Sequence, residues 1–311
     1  MPAPLLVPTD FSPCAARAVA IARQLADATG APLHVLHVLS WPDAGPFETP
    51  GEGRTATEEE RGETDRARAA LAAAVGADAH LAVVRGNAPA IEIADYAERI
   101  GAEVIVVGAC GRRGPRAGLG GVAGEVVQTA PADVVVVPFG DAPPAVVGRV
   151  LVAVDFSGAA APLVRLGQRL AGALGVGLDL VHVVEPFPHP VRWMDEAVVD
   201  LAPQVLGRAH EALRQLAQAT EAGPETELYV ERGKAARTLA QVAQALQSGL
   251  LIVGPHDDRP VLDGLIGSVA EGIARRAPCP VWVARSSVVD GVETVDARSY
   301  RPVEPTPATS L

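Results

Sequence analysis

Residues 106–125 read VVGACGRRGPRAGLGGVAGE, two valines followed by glycines interspersed with Arg112, Arg113 and Arg116. Residues of these types can cradle phosphate. Glycine lets an anion approach the backbone, arginine adds positive charge, and a helix entered from such a loop offers free N–H groups at the positive end of its dipole. The same composition also suits an ordinary flexible loop, so placement has to decide between them. The loop follows VIVV, an apolar run that reads as a strand, and leads into a helix over GVAGEVVQTA. In open parallel sheets the carboxyl ends of strands are where ligands bind. No Lys followed by Ser or Thr is present, which excludes a Walker loop, and GLGGVA at 118–123 begins about ten residues too late after the strand for a dinucleotide fingerprint.

Other chemistries find little support. His34 and His37 lie three apart on an expected strand, point to opposite faces and cannot easily share a metal. His37 and His182 recur together and read mainly as strand-end structural histidines. No Ser, His and Asp spacing or nucleophile elbow occurs, and nothing nominates a general base. Glu58, Glu59, Glu60 and Glu63 read as a solvated helix start, where acidic side chains suit the dipole. Cys14, Cys110 and Cys279 are widely spaced and odd in number, suggesting neither a disulfide framework nor a zinc site and fitting a reducing compartment.

The elements that would position the glycine loop occur twice. VPTDFS at 7–12 returns as VAVDFS at 152–157, HVL at 37–39 as HVV at 182–184, and VRG at 84–86 as ERG at 231–233. VIVVG at 104–108 returns as LLIVG at 250–254, and APADVVVV at 130–137 as APCPVWVA at 277–284. The offset stays between 145 and 147 residues, which is a duplicated domain and far too long for a solenoid repeat. Each copy alternates short apolar strands with helices. In the first, Ser12 is placed to cap a helix with Pro13 in its first turn and Gly30 as its stop. In the second, helices are expected near 157–174, 194–220, 234–247 and 268–276. Five strands separated by helices predict a doubly wound parallel sheet in each copy. Domains are expected at 1–143 and 147–286, joined through GDAPPAVVG at 140–148, with a polar tail at 287–311 expected to lack order.

Composition agrees with this class. The chain has 311 residues, 49% hydrophobic but only 4% aromatic, as helices packed on buried parallel strands require. A net charge of −11 argues against a nucleic-acid partner. The N-terminus lacks a basic segment followed by an apolar one, and no apolar run has membrane-spanning length, so the expectation is a cytoplasmic protein with no membrane association.

The paired Asp after the first strand, the glycine loop and the Ala-Pro before the last strand, in this order in both copies, resemble the universal stress protein family in its tandem form. The resemblance covers residues 3–285 and implies two repeated five-stranded parallel-sheet domains, Rossmann-like and similar to the adenine nucleotide alpha hydrolases. It also implies a stress-response protein that binds ATP or AMP, with or without magnesium, and is non-catalytic or only weakly ATP-hydrolysing. Nucleotide-binding members are similar in carrying Gly, two residues, Gly, nine residues, then Gly with Ser or Thr. In the first copy this places Gly108, Gly111 and Gly121, with Arg112 and the strand-end Val107 beside them and Val122 where the hydroxyl belongs. A second alignment, anchored on Ala130 and Pro131, puts Gly120 and Gly121 there instead. The second copy offers Gly254, then Asp257 in place of the second glycine, then Gly267 and Ser268.

The resemblance further assigns Asp10 and Val38, and Asp155 and Val183, to the adenosine part of the ligand. Asp10 and Asp155 also read as turn residues before a helix. A carboxylate about 4 Å from a phosphate costs roughly 4 kcal/mol at an effective dielectric near 20, so the second site is the poorer one. Cys110 and His256 occupy equivalent loop positions. The resemblance also implies that the last strands, residues 134–138 and 281–285, pair within the chain, with homodimerisation of the fused chain as a further expectation. The competing expectation is a protein interaction scaffold whose nucleotide sites have decayed, serving an unknown protein partner.

Overall fold

The computed structural model describes residues 2–40, 57–76, 78–111, 119–140, 145–185, 201–254 and 268–285. The expected tail at 287–311, the start of the helix expected from 194 and most of the two glycine loops lie outside the described residues.

The first half runs β1 (Leu5–Pro8), α1 (Pro13–Thr29), β2 (Leu33–Leu39), α2 (Glu58–Val75), β3 (His80–Arg85), α3 (Pro89–Ile100), β4 (Val104–Gly108), α4 (Gly121–Thr129) and β5 (Asp133–Val137). The second runs β6 (Val150–Ala153), α5 (Ala160–Leu174), β7 (Leu178–Val184), α6 (Leu201–Ala219), β8 (Glu227–Arg232), α7 (Ala235–Ala245), β9 (Leu250–Val253), α8 (Ser268–Ala274) and β10 (Val281–Val283). Strands alternate with helices because apolar runs of sheet length alternate with segments of helical period. The central strands are buried along their whole length, β4 and β5 almost without interruption, as strands covered on both faces must be.

The two halves do not form separate sheets. One ten-stranded sheet has the order β3-β2-β1-β4-β5-β10-β9-β6-β7-β8. Strands are parallel within each half, and the halves join where β10 runs antiparallel to β5, with Val281, Trp282 and Val283 opposite Val136, Val135 and Val134. On one face a single apolar core spans both halves, from Ile21 and Leu25 of α1 through Val135 and Trp282 to Leu163 and Leu170 of α5. On the other face each half keeps its own core, under α3 and α4 in the first and α7 and α8 in the second.

Polar groups lock this junction. Asp133 is fully buried and accepts hydrogen bonds from the Trp282 indole Nε1 at 2.8 Å and the Arg285 backbone N–H at 2.7 Å. The Arg285 guanidinium donates to the carbonyls of Val127, Gln128 and Ala130, the open C-terminal carbonyls of α4. Burial pushes its pKa down, with the nearby Asp133 acting in the opposite direction. The connection between the halves is also tied down, since the Gln24 amide donates to the Val146 carbonyl at 3.1 Å and accepts from its N–H at 2.7 Å.

Helix ends follow sequence rules closely in the first half. Ser12 Oγ accepts from the N–H of Ala15, Pro13 opens α1, and Gly30 ends it in the left-handed conformation at φ 69°. Thr57 and Glu60 form a reciprocal capping box on α2, and Glu60 is buried there. The reading of Glu58–Glu63 as a wholly solvated face is therefore corrected for Glu60, and for Glu63, which pairs with Arg85 at 2.9 Å. In the second half Gly158 stands where Pro13 stands in the first, and α5 starts at Ala160 instead of directly after Ser157. The helix that Pro initiates in one copy starts later in the other.

Asp133→Ala should leave the Trp282 indole N–H and the Arg285 N–H buried without an acceptor. Stability in urea unfolding should fall by about 3 kcal/mol. A loss under about 1 kcal/mol would mean that strand pairing and apolar burial alone hold the halves together.

Candidate functional site

Each half carries a cavity at the carboxyl ends of its strands. The first-half cavity, of about 540 Å³, lies between the ends of β1, β2 and β4, the first turns of α1 and α3, and the start of α4. Asp10, Val38, Val107, Gly108, Gly111, Gly121 and Val122 all line it, so every described first-copy residue singled out from sequence reaches one cavity. Arg112 lies outside the described residues, as do Arg113 and Arg116.

Asp10 makes the turn expected of it and also lines the cavity. Its Oδ1 accepts from the N–H of Ser12 at 3.0 Å, a turn that sets up α1. Its Oδ2 faces the glycine loop, where a Cβ added to Gly111 would stand 3.0 Å away. Asp155 makes the same turn with the N–H of Ser157 at 3.0 Å. His37 and His182 bridge the ends of adjacent strands, their Nδ1 atoms paired with the carbonyls of Thr9 at 2.7 Å and Val154 at 2.8 Å. That is the structural role expected of them.

Sequence reading passed over two features. Phe11 and Phe156 hold left-handed backbones, at φ 62° and 61°, with rings packed 4.6 and 4.3 Å from His37 and His182. A bulky residue in that region is strained, and such strain gathers at functional sites. The repeated DFS was the available signal, although a dihedral cannot be read from residue types. The second feature is a correction, because Cys14 and Cys110, 96 residues apart in the chain, are joined as a disulfide with Cα atoms 5.7 Å apart. Sequence distance says nothing about distance across a sheet whose β1 and β4 are neighbours. Cys279 is free and buried, and burial pushes its thiol up to about 12.

The glycine loop is pinned at its neck, where the N–H of Gly120 donates to the Ala109 carbonyl at 2.8 Å and that of Ala109 to Val137 at 2.8 Å. Gly120 is the N-cap of α4, and no side chain caps the helix start. The first N–H groups of a nine-residue helix therefore lie uncapped by any side chain at the cavity wall. α4 starts at Gly121, the residue that the second of the two alignments sets opposite Ser268. Gly108 meets a different demand: a Cβ there would lie 2.7 Å from the Cys14 carbonyl oxygen, so strand end and helix start touch through backbone.

The second-half cavity is larger, about 770 Å³, and is lined by Asp155, Val183 and Gly254 together with Phe156, His182, Glu185 and Arg208. Asp257, Gly267 and His256 lie outside the described residues, and Ser268 is described only as the first residue of α8. Among the described residues no cluster of three or more His, Cys, Asp or Glu could hold a metal ion. No helix among them is long and apolar enough to cross a membrane.

A sheet of parallel strands in each half, with helices between them and a cavity at the strand ends, defines a tandem α/β protein. The chain belongs to the universal stress protein family, whose model matches residues 1–138 and 147–285. It is similar to a universal stress protein of Thermus aquaticus, 26% identical over 136 residues that make up 44% of this chain and 97% of the relative. Among solved structures it resembles a universal stress protein of Archaeoglobus fulgidus with a TM-score of 0.62, 21% identity and coverage of 91% of this chain and 96% of that one. A functionally unknown protein of Pseudomonas aeruginosa matches with a TM-score of 0.63, 18% identity and coverage of 92% and 94%. At these identities the two structures show the fold.

Two glycine substitutions should separate packing from chemistry. Gly108→Ala forces backbone apart and should cost about 2 kcal/mol or more in thermal unfolding. Gly121→Ala meets open space within 4 Å and should leave stability within about 0.5 kcal/mol of the parent.

Proposed function

We propose that the first domain (1–143) binds an adenine nucleotide, ATP or AMP, and that the protein is a cytoplasmic stress-response regulator acting through binding. The observation that carries this reading is the uncapped start of α4 beside Gly108 and Gly111, facing a cavity of ligand size. Phosphate would take the N–H groups of the loop and of the first turn of α4. Asp10 Oδ2, near Gly111, suits a sugar hydroxyl, which can donate to it, and Val38 offers an apolar edge to the base. Magnesium, where used, would arrive on the phosphates. Any turnover is expected to be slow and incidental.

The second domain (147–286) is proposed as the weaker site. Its loop carries Asp257 where Gly111 stands in the first. Gly254 and Asp155 still line its cavity, so the architecture persists while the anion-binding part is compromised.

Denaturing mass spectrometry of small molecules released from purified protein should give one adenine nucleotide per chain. Gly111→Asp should abolish that occupancy, because it sets a carboxylate against both the phosphates and Asp10 at a cost of roughly 4 kcal/mol. Gly121→Ser restores the hydroxyl that Ser268 supplies in the second copy and should tighten ATP binding roughly three- to tenfold. Two nucleotides per chain would return the second domain to full function. None, together with no thermal stabilisation by ATP and magnesium, would leave the protein as an interaction scaffold.

A further inference from the structure

The three cysteines sit in unlike surroundings. Cys279 is buried in the second-half core with its thiol pushed up to about 12, which makes it inert. Cys14 and Cys110 are at the first-half cavity. Cys110 lines it directly before Gly111, while Cys14 lies behind the wall in the first turn of α1, 2% exposed. The two residues therefore differ usefully: one can be reached from the cavity, and the other is a sheltered nucleophile already within bonding reach of it.

We propose that Cys14 and Cys110 are a reversible thiol–disulfide site, oxidised by a hydroperoxide, that sets the wall of the first-domain cavity. In the first step the Cys110 sulfur attacks the hydroperoxide, an S–O bond forms, the O–O bond breaks, and the departing oxygen leaves as an alcohol after taking the thiol proton. The Cys14 thiolate then attacks the Cys110 sulfenic sulfur, the S–S bond forms, and the expelled hydroxide takes up a proton as water. Two thiols and one hydroperoxide give one disulfide, one alcohol and one water, a two-electron oxidation. A dithiol reverses it by exchange.

Position gives this bond its consequence. It fastens the residue before Gly111 to the first turn of α1, the same turn whose Cys14 carbonyl packs against Gly108. Oxidised, the loop is held at both ends of its glycine turn. Reduced, that fastening is lost while the backbone bond from Gly120 to Ala109 remains. The bond is confined to the first domain, since the second copy has Ala159 and His256 at the matching positions. The consequence for affinity rests on the nucleotide reading above; the reversible bond does not.

The full chain should be compared after dithiothreitol and after hydrogen peroxide, each removed before measurement. Native alkylation and peptide mass spectrometry should find Cys110 modified in the reduced protein and linked to Cys14 in the oxidised one, with Cys279 unmodified in both. ATP should bind about tenfold more tightly to the oxidised form. Cys14→Ala, which installs the residue of the second copy, should bind like the reduced form and form no disulfide with peroxide. A bond that dithiothreitol cannot open in the folded protein, or that peroxide cannot remake, overturns the proposal, as does equal ATP affinity in both states. If the bond cycles but neither state binds ATP, the thiol site stands and the nucleotide reading falls.

Discussion

The antiparallel meeting of β5 and β10 is the constraint on which the rest of this protein depends. Three residues on each strand pair, with Val135 and Trp282 at the centre, and the repeat relates those two positions to each other. The pairing is thus close to a twofold arrangement of the two copies, achieved inside one chain. Because strands are parallel within each half and antiparallel across the seam, the carboxyl ends of the two halves point in opposite directions. The two cavities accordingly open at opposite edges of one sheet. Apolar burial alone would allow the strands to slip by two residues without changing faces. The Asp133 carboxylate, fully buried and bonded to Trp282 and Arg285, has acceptors for those donors in one register only.

That lock is one-sided, and the asymmetry continues outward. The position matching Asp133 in the second copy is Pro280, which offers no carboxylate. The second half instead buries Asp179, on β7, where it accepts from the Arg149 guanidinium at 2.9 Å, and that bond raises the pKa of Arg149. Each half therefore buries one carboxylate, Asp133 bonded by the Trp282 indole and the Arg285 backbone N–H and Asp179 by the Arg149 guanidinium. Buried charge seldom adds much stability over apolar packing, so these contacts are better understood as fixing register and approach. The fused chain could differentiate its halves because neither has to match a copy of itself across the seam.

Much of the fold could be read in the sequence, and the reasons are local. Strand runs such as VIVV and DVVVV, the Ser12 and Pro13 helix start and the Gly30 stop act over a few residues, and the repeat supplied a second reading of each. The cavity lining was legible to the extent that it uses such signals, in Asp10 at a strand end and the glycines, while Val38 came from the family resemblance. What escaped depended on contacts across the sheet or on dihedral angles. Cys14 meets Cys110 only because β1 and β4 are neighbours. Glu60 looks solvated in a row of glutamates and is buried by its own capping box. The left-handed Phe11 carries no mark in composition at all.

Comparing the copies separates what the scaffold needs from what a site needs. Phe11 and Phe156 share a strained backbone, His37 and His182 share a carbonyl partner type, and Asp10 and Asp155 make the same turn. Features kept in both halves, including one whose second cavity has lost a loop glycine, are those by which β1 hands the chain to the next helix. The strain at the phenylalanines is thus tied to building the cavity mouth more than to any one ligand. Features present in one half alone carry chemistry that the scaffold does not demand. Cys14, Cys110 and Gly111 have no equivalent in the second copy, and they meet at or behind the wall of one cavity. Both halves keep a cavity at their strand ends, and the first adds these residues to it.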